Sequence, residues 1–178
     1  MDTLEVIARP HFAKDDLAWL TDIRSRRADS RGPPYFTLVF HGAETEPTAF
    51  VEQVRTLAAG IHHIRFRLRA ALVAPEPLVG RYHVFLVPDE GFGAISKLYD
   101  ALHVGDIEVG LRFDSAYLPH ITVATTDSYE AARKLAQALN LGGIDISGHI
   151  DALEVERRAG QVIKKVAEIP LVKSGWFG

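Results

Sequence analysis

"GPPYFTLVFHG" (Gly32–Gly42) and, later in the chain, "SAYLPHITVAT" (Ser115–Thr125) share one pattern. Each reads Pro, a polar-tipped ring, an apolar residue, Thr and then an apolar run. The ring is Tyr35 in the first and His120 in the second, 85 positions apart (120 − 35). Both runs are rich in β-branched and aromatic residues and read as strands. Side chains alternate along a strand, so His120 and Thr122 share a face while Ile121 and Val123 point the other way. The same alternation expects Tyr35, Thr37, Val39 and His41 on one face, with Phe36, Leu38 and Phe40 opposite.

The surroundings repeat as well. Leu4–Ala8 is a short apolar strand ended by Pro10. Ala13–Arg26 has helical spacing at Leu17, Leu20 and Ile23, with Trp19 beside them and Arg24, Arg26 and Arg27 in the last turn, where cations complement the helix dipole. Thr48–Ala59 is a helix ended by Gly60. Ile64, Phe66 and Leu68 alternate with Arg65, Arg67 and Arg69, as in a strand with one buried face. Tyr82–Pro88 is a strand and Gly93–Leu102 a helix. Asp106–Phe113 is irregular or a short strand. After the second motif come a helix over Tyr129–Leu139, one long strand over Gly143–Arg157, a turn at Ala159–Gly160 and a return strand. Strand, helix, long strand, turn, strand thus occurs twice, which marks an internal duplication with little residue identity. The fold class expected is α+β: two pseudo-symmetric lobes, each an antiparallel sheet with helices on its outer face, around a central cleft. The 178 residues are expected to form a single bilobal domain. The first-motif lobe is expected mainly from 10–90, the second mainly from 91–178 plus the N-terminal strand.

Composition narrows the function classes. The chain contains no Cys, which removes disulfides, Cys-based zinc sites and a Cys nucleophile. Its formal net charge of −3 argues against a chain-wide electrostatic trap for nucleic acid. The N-terminus does not read as a signal peptide, and no apolar stretch approaches the ~18 residues of a membrane helix. A cytoplasmic protein without membrane attachment is expected. No phosphate-loop glycine motif and no metal-ligand spacing is present, so no metal and no cofactor are expected. His62 and His63 are adjacent and would face opposite ways on a strand.

The two motif strands carry groups suited to phosphate chemistry. Thr37 and Thr122 can donate hydrogen bonds to phosphate oxygens. His120 can exchange a proton near neutral pH. Two proton-transfer groups on opposite sides of a phosphorus atom suit an in-line displacement.

At these residues the chain resembles the two-histidine (2H) phosphoesterase superfamily, which includes 2'-5' RNA ligase-like proteins and RNA 2',3'-cyclic phosphodiesterases. The resemblance runs through "VIARP", "PPYFTLVF", "YHVFLVPDEG" and "YLPHITVA" and covers essentially the whole chain. It implies a metal-independent phosphoesterase acting on RNA or nucleotide 2',3'-cyclic phosphates or on 2'-5' linkages, with an RNA end or a small nucleotide phosphate as partner. It implies that His120 is catalytic and that Thr37 and Thr122 hold the substrate phosphate. Tyr35 stands where the family has its first catalytic His. A phenol with the ordinary pKa of about 10 is a poor base at pH 7 but a competent hydrogen-bond donor or general acid. The expected division is His120 as base and Tyr35 as donor. The alternative is a catalytically degenerate protein of the same fold that binds a nucleotide or RNA phosphate without turning it over.

Several further groups admit two readings. Arg65, Arg67 and Arg69 are either a phosphate-gripping cleft wall or a solvated row paired with Asp145 and Asp151. Arg24, Arg26, Arg27 and Arg31 either guide an RNA backbone or form a charged helix end and loop. Tyr82, Phe113 and Tyr117 either stack a base or pack the core and rim. His149 is either solvated or reaches the cleft.

Overall fold

In the computed structural model the described residues are 2–28, 32–42, 46–76, 80–104, 117–160 and 162–173. Their strands are β1 (Asp2–Ala8), β2 (His11–Phe12), β3 (Phe36–Gly42), β4 (Ile64–Glu76), β5 (Arg81–Glu90), β6 (Ile121–Thr126), β7 (Ile146–Ile150), β8 (Ala152–Ala159) and β9 (Val162–Pro170). Their helices are α1 (Lys14–Arg27), α2 (Pro47–Ala58), α3 (Phe92–Leu102) and α4 (Tyr129–Leu141). Local chemistry sets the helix starts. The Glu46 carboxylate accepts the backbone N–H groups of Thr48 and Ala49, and Pro47 occupies the first turn of α2. Ser128 caps α4 through the Ala131 N–H. Gly91 precedes α3 with φ of 81°, and a Cβ there would lie 2.4 Å from the Arg65 carbonyl oxygen, so only glycine fits. The expected segment Asp106–Phe113 lies outside the described residues.

The strands form two antiparallel sheets, ordered β3-β1-β8-β9 and β2-β7-β4-β5-β6. This is the expected α+β architecture of two antiparallel sheets with helices. The duplication also holds, and the topology sharpens it. Leaving aside β2, β7 and β9, the unit is strand, helix, motif strand, helix, strand: β1-α1-β3-α2-β4 and then β5-α3-β6-α4-β8. The first two strands of each unit pair with each other, β1 with β3 and β5 with β6. The third strand crosses over: β8 joins the first unit's sheet beside β1, and β4 joins the second unit's sheet beside β5. The sheets are therefore not composed of residues 10–90 and 91–178. The N-terminal strand also lies beside the first motif strand, in the first-motif sheet. A boundary near 90 divides the chain but not the sheets: residues before it supply β1 and β3 to one sheet and β2, β4 and β5 to the other, and residues after it supply β8 and β9 to the first and β6 and β7 to the second.

Both motif strands carry a bulge at the same place. In the β1–β3 pair Ile7 faces Thr37 and Val6 faces Val39, so Leu38 is the extra residue. In the β5–β6 pair Phe85 faces Thr122 and Val84 faces Ala124, so Val123 is the extra residue. Each bulge follows the motif Thr directly and flips the alternation beyond it. That corrects the expected face assignment in β3. Val39 joins Phe36 and Leu38 in the core, whereas Phe40 faces Glu5 across the ladder and is 44% exposed.

The expected single strand over Gly143–Arg157 is two strands in different sheets. β7 ends at Ile150, β8 begins at Ala152, and the Asp151 backbone oxygen between them accepts from the Leu171 N–H. β1 and β2 likewise lie in different sheets, separated only by Arg9 and Pro10. Since β1 pairs with β8 and β2 with β7, a two-stranded ribbon runs out of one sheet, creases at Arg9–Pro10 and Asp151, and enters the other. Gly148 in β7 leaves room at the crease for Phe66 and Phe12: an added Cβ would lie 2.6 Å from Phe66 Cζ and 2.9 Å from Phe12 Cε1. Phe66 meets both Phe12 and Phe36 edge-on, which ties the sheets through one aromatic cluster.

Candidate functional site

His120 sits one residue before β6. Its ring stacks on Phe85 of β5, with centroids 3.7 Å apart and planes 21° apart. Phe85 faces Thr122 across the ladder, so His120, Thr122 and Phe85 share one face, as the alternation requires. His120 Nδ1 lies 2.6 Å from the Leu118 carbonyl oxygen. A carbonyl can only accept, so Nδ1 carries the proton and Nε2 presents its lone pair. The imidazole pKa is lowered to about 4, chiefly by burial; the charge of nearby His83 adds to this, and the Leu118 hydrogen bond works the other way. His120 is therefore neutral at pH 7 and equipped as a proton acceptor.

Tyr35 sits one residue before β3, beside two guanidinium groups. Arg9 and Arg24 each place their guanidinium carbon 5.3 Å from the centre of its ring. The Arg24 guanidinium donates to the phenol oxygen, an arrangement that lets Tyr35 donate its own proton onward. Arg24 is 1% exposed. Burial lowers its pKa, and the interaction with Tyr35 opposes that fall. Arg9 belongs to a charged layer on the first-motif sheet. Its Nε lies 3.0 Å from Glu154 Oε2 and its Nη2 lies 2.7 Å from Glu156 Oε1. Arg158 Nε lies 2.7 Å from Glu5 Oε1. Glu5 and Glu156 are buried, and these partners satisfy them.

The two motifs are connected reciprocally. Arg24, on α1 of the first unit, donates through Nη1 to the carbonyl of Thr122 in the second motif. Tyr117, three residues before His120, donates its hydroxyl to the carbonyl of Thr37 in the first motif at 3.0 Å. Both carbonyls belong to the residue at which the bulge interrupts the ladder, where strand pairing is broken. Tyr117 stacks on Tyr99 of α3 at 3.9 Å, so each unit's first helix supports the other unit's motif strand. Burial pushes the Tyr117 hydroxyl well above the ordinary tyrosine value, so it serves as a permanent donor.

The arginine row divides. Arg67 pairs with Asp145 through two nitrogens, one at 2.6 Å from Oδ2. Arg69 pairs with Asp89 at 2.8 Å and with Glu90 at 2.7 Å. Arg65 is exposed and faces His149 across the ladder. Asp151 pairs with His11 at 3.0 Å and not with the arginine row. These pairings take up the charges of Arg67 and Arg69 at the surface. Tyr117 packs, as described, and Tyr82 meets Tyr129 edge-on at 5.5 Å. Arg26 pairs with Asp22 one turn away. Phe113 and Arg31 lie outside the described residues, as does the side chain of His41.

Three groups take places that sequence reasoning does not give them. Arg24, read either as a guide for an RNA backbone or as part of a charged helix end, follows Leu20 by four residues and is buried with it on the inner face of α1. Arg9 sits in "VIARP", where only the ribbon crease brings it to Tyr35. His83 faces the same side of β5 as Phe85, its ring 5.6 Å from the Phe85 ring, and its Nδ1 lies 3.1 Å from Thr125 Oγ1. Its alternation with Val84 was the available signal.

Known proteins share both the sequence pattern and the fold. The family model described as "2'-5' RNA ligase superfamily" matches residues 12–162. No curated protein matches the chain by sequence. Among solved structures, E. coli LigT complexed with 3'-AMP is similar at a TM-score of 0.59 and 14% identity, covering 96% of this chain and 98% of that one. Kluyveromyces marxianus Usb1, also solved with uridine monophosphate, is similar at 0.54 and 9% identity, covering 95% of this chain and 98% of that one. At such identities the structures speak for the fold alone, but the family model spans both motifs and most of the chain, and on that ground this chain belongs to the 2'-5' RNA ligase superfamily.

Proposed function

We propose that the protein is a phosphoesterase-type enzyme that takes a nucleotide or RNA-end phosphate between its two motif strands. The observation that carries this reading is the presentation of His120: Nδ1 is held by the Leu118 carbonyl, which leaves Nε2 as the acceptor on a ring that shares its strand face with Thr122. The substrates in view are a 2',3'-cyclic phosphate or a 2'-5' linkage. Family membership supports this class, as do the nucleotides in the LigT and Usb1 structures.

His120 Nε2 takes the proton from the attacking hydroxyl or water. The hydroxyls of Thr37 and Thr122 donate to the non-bridging oxygens. Tyr35 donates on the opposite side, toward the leaving oxygen. Arg24 reinforces it, since a phenol whose oxygen accepts from a guanidinium is a stronger donor. The buried guanidinium of Arg24 beside the ring suits a Tyr at this position, since it would oppose the protonated form of a His placed there.

Hydrolysis of a panel of 2',3'-cyclic nucleotides in the presence of EDTA tests the reading. Turnover by the wild type is expected to fall about 10²–10⁴-fold in His120→Ala and to drop clearly in Tyr35→Phe. A wild type that is inert but gains activity as Tyr35→His indicates a site that binds without turnover. If neither form hydrolyses any member and none binds, the assignment fails. The acid limb of kcat/KM is expected near pH 4–5, well below the ordinary histidine value of about 6.5, because the base loses its lone pair only when pH falls to about 4.

A further inference from the structure

A second cluster lies at the ribbon crease. His11 of β2 faces His149 of β7 directly across the ladder, and their rings stack at 4.9 Å with planes 20° apart. Asp151, the residue at which β7 gives way to β8, places Oδ1 3.0 Å from His11 Nε2. One metal-capable atom from each of the three residues lies within 4.8 Å of the others. A tetrahedral Zn²⁺ with bonds of about 2.0–2.1 Å requires ligand atoms roughly 3.3–3.5 Å apart and ring planes that converge on the ion, so binding turns the two stacked rings apart, which their exposure permits. Two imidazoles and a carboxylate are a donor set that suits Zn²⁺, and the exposure of both histidines gives an ion access from solvent.

We propose that His11, His149 and Asp151 bind one Zn²⁺ that clamps the crease between the two sheets. The ion takes the lone pair of His11 Nε2 in place of that hydrogen bond: a neutral ring then carries its proton on Nδ1, and a protonated ring releases one proton to solvent. One ring nitrogen of His149 completes three protein ligands, and water fills the fourth position. The set holds one carboxylate, so the bound ion keeps a net charge of about +1. Arg65, His149's cross-strand neighbour, opposes it. The clamp has a structural role, and its connection to the motif site is short: Arg9, which lies over Tyr35, is two residues before His11. None of the three ligands is assigned a part in phosphate chemistry, so this inference stands or falls apart from the proposed activity.

Titration calorimetry with ZnCl₂ on the full chain tests it. The wild type and His62→Ala are expected to bind one equivalent with the same affinity. His149→Ala and Asp151→Asn are expected to bind at least about tenfold more weakly. Arg65→Gln, which keeps all three ligands and removes the opposing charge, is expected to bind at least as tightly as the wild type. Zn²⁺ is also expected to raise the melting temperature of the wild type and not that of His149→Ala, since a ligand that binds only the folded state stabilises it. Should either ligand variant unfold, His11→Gln replaces it in the comparison. The proposal is overturned if no saturable binding occurs, if the ligand variants bind like the wild type, or if His62→Ala loses as much affinity as they do.

Discussion

At the scale of single residues, His120 and Arg24 illustrate what burial does to a charge. The His120 pKa of about 4 has a consequence for stability. Between about pH 6.5 and 4 the unfolded chain binds a proton that the folded chain refuses, so stability is lost as pH falls through that window. The loss attributable to this residue is on the order of 3 kcal/mol once pH 4 is reached. Urea unfolding at pH 7.0 and 4.5 checks it: the drop between the two is expected to be about 2 kcal/mol smaller in His120→Asn than in the wild type. Arg24 is expected to respond differently to two substitutions. Arg24→Ala leaves a cavity beside Tyr35 and strands the Thr122 carbonyl, at a cost of about 2–4 kcal/mol in urea unfolding. Arg24→Met fills the space and costs less, yet removes the donor to Tyr35, so nucleotide binding should weaken more than stability does. The motif residues were legible because a Pro-x-apolar-Thr pattern survives as a string. Arg24 was not, because an arginine on an apolar stripe looks like a helix-end charge until the facing strand is known.

Among the elements, the paired bulges and the creased ribbon decide where side chains go. Alternation alone correctly placed His120 with Thr122 and Phe36 opposite Thr37. It failed beyond Leu38, because a bulge is a property of two strands and leaves no mark in the sequence of one. The single long strand expected over Gly143–Arg157 failed for a related reason: its apolar alternation continues smoothly across Asp151, where the chain changes sheets. Gly148 is the residue on which the crease depends. Gly148→Ala places a methyl against Phe66, Phe12 and the His11 carbonyl, and is expected to destabilise by about 1–3 kcal/mol, measured by urea or thermal unfolding. Phe66→Leu in the same background should recover part of that loss, since it withdraws the ring the methyl strikes.

For the whole molecule, the two-sheet architecture and the duplication were legible from periodicity, and the partition of strands between sheets was not. Hydrophobic pattern says that a strand has a buried face, but not which neighbour pairs with its edge. The crossover of β4 and β8 leaves neither half with a sheet of its own. Heat or urea should therefore unfold the chain in one transition, with far-UV circular dichroism and tryptophan fluorescence coinciding. A chain cut between Glu76 and Arg81 should yield two pieces that are unfolded separately and regain native circular dichroism when mixed.

The crossover also bears on how such a chain could arise. A polypeptide containing only one unit would have a motif strand, its partner, and a third strand with no place in its own sheet. Two copies would resolve this by trading third strands, as subunits do in domain swapping. The present molecule has that traded arrangement within a single polypeptide. Joining the copies removes the concentration dependence of assembly, and it frees the two motif positions to differ, an imidazole at one and a phenol at the other.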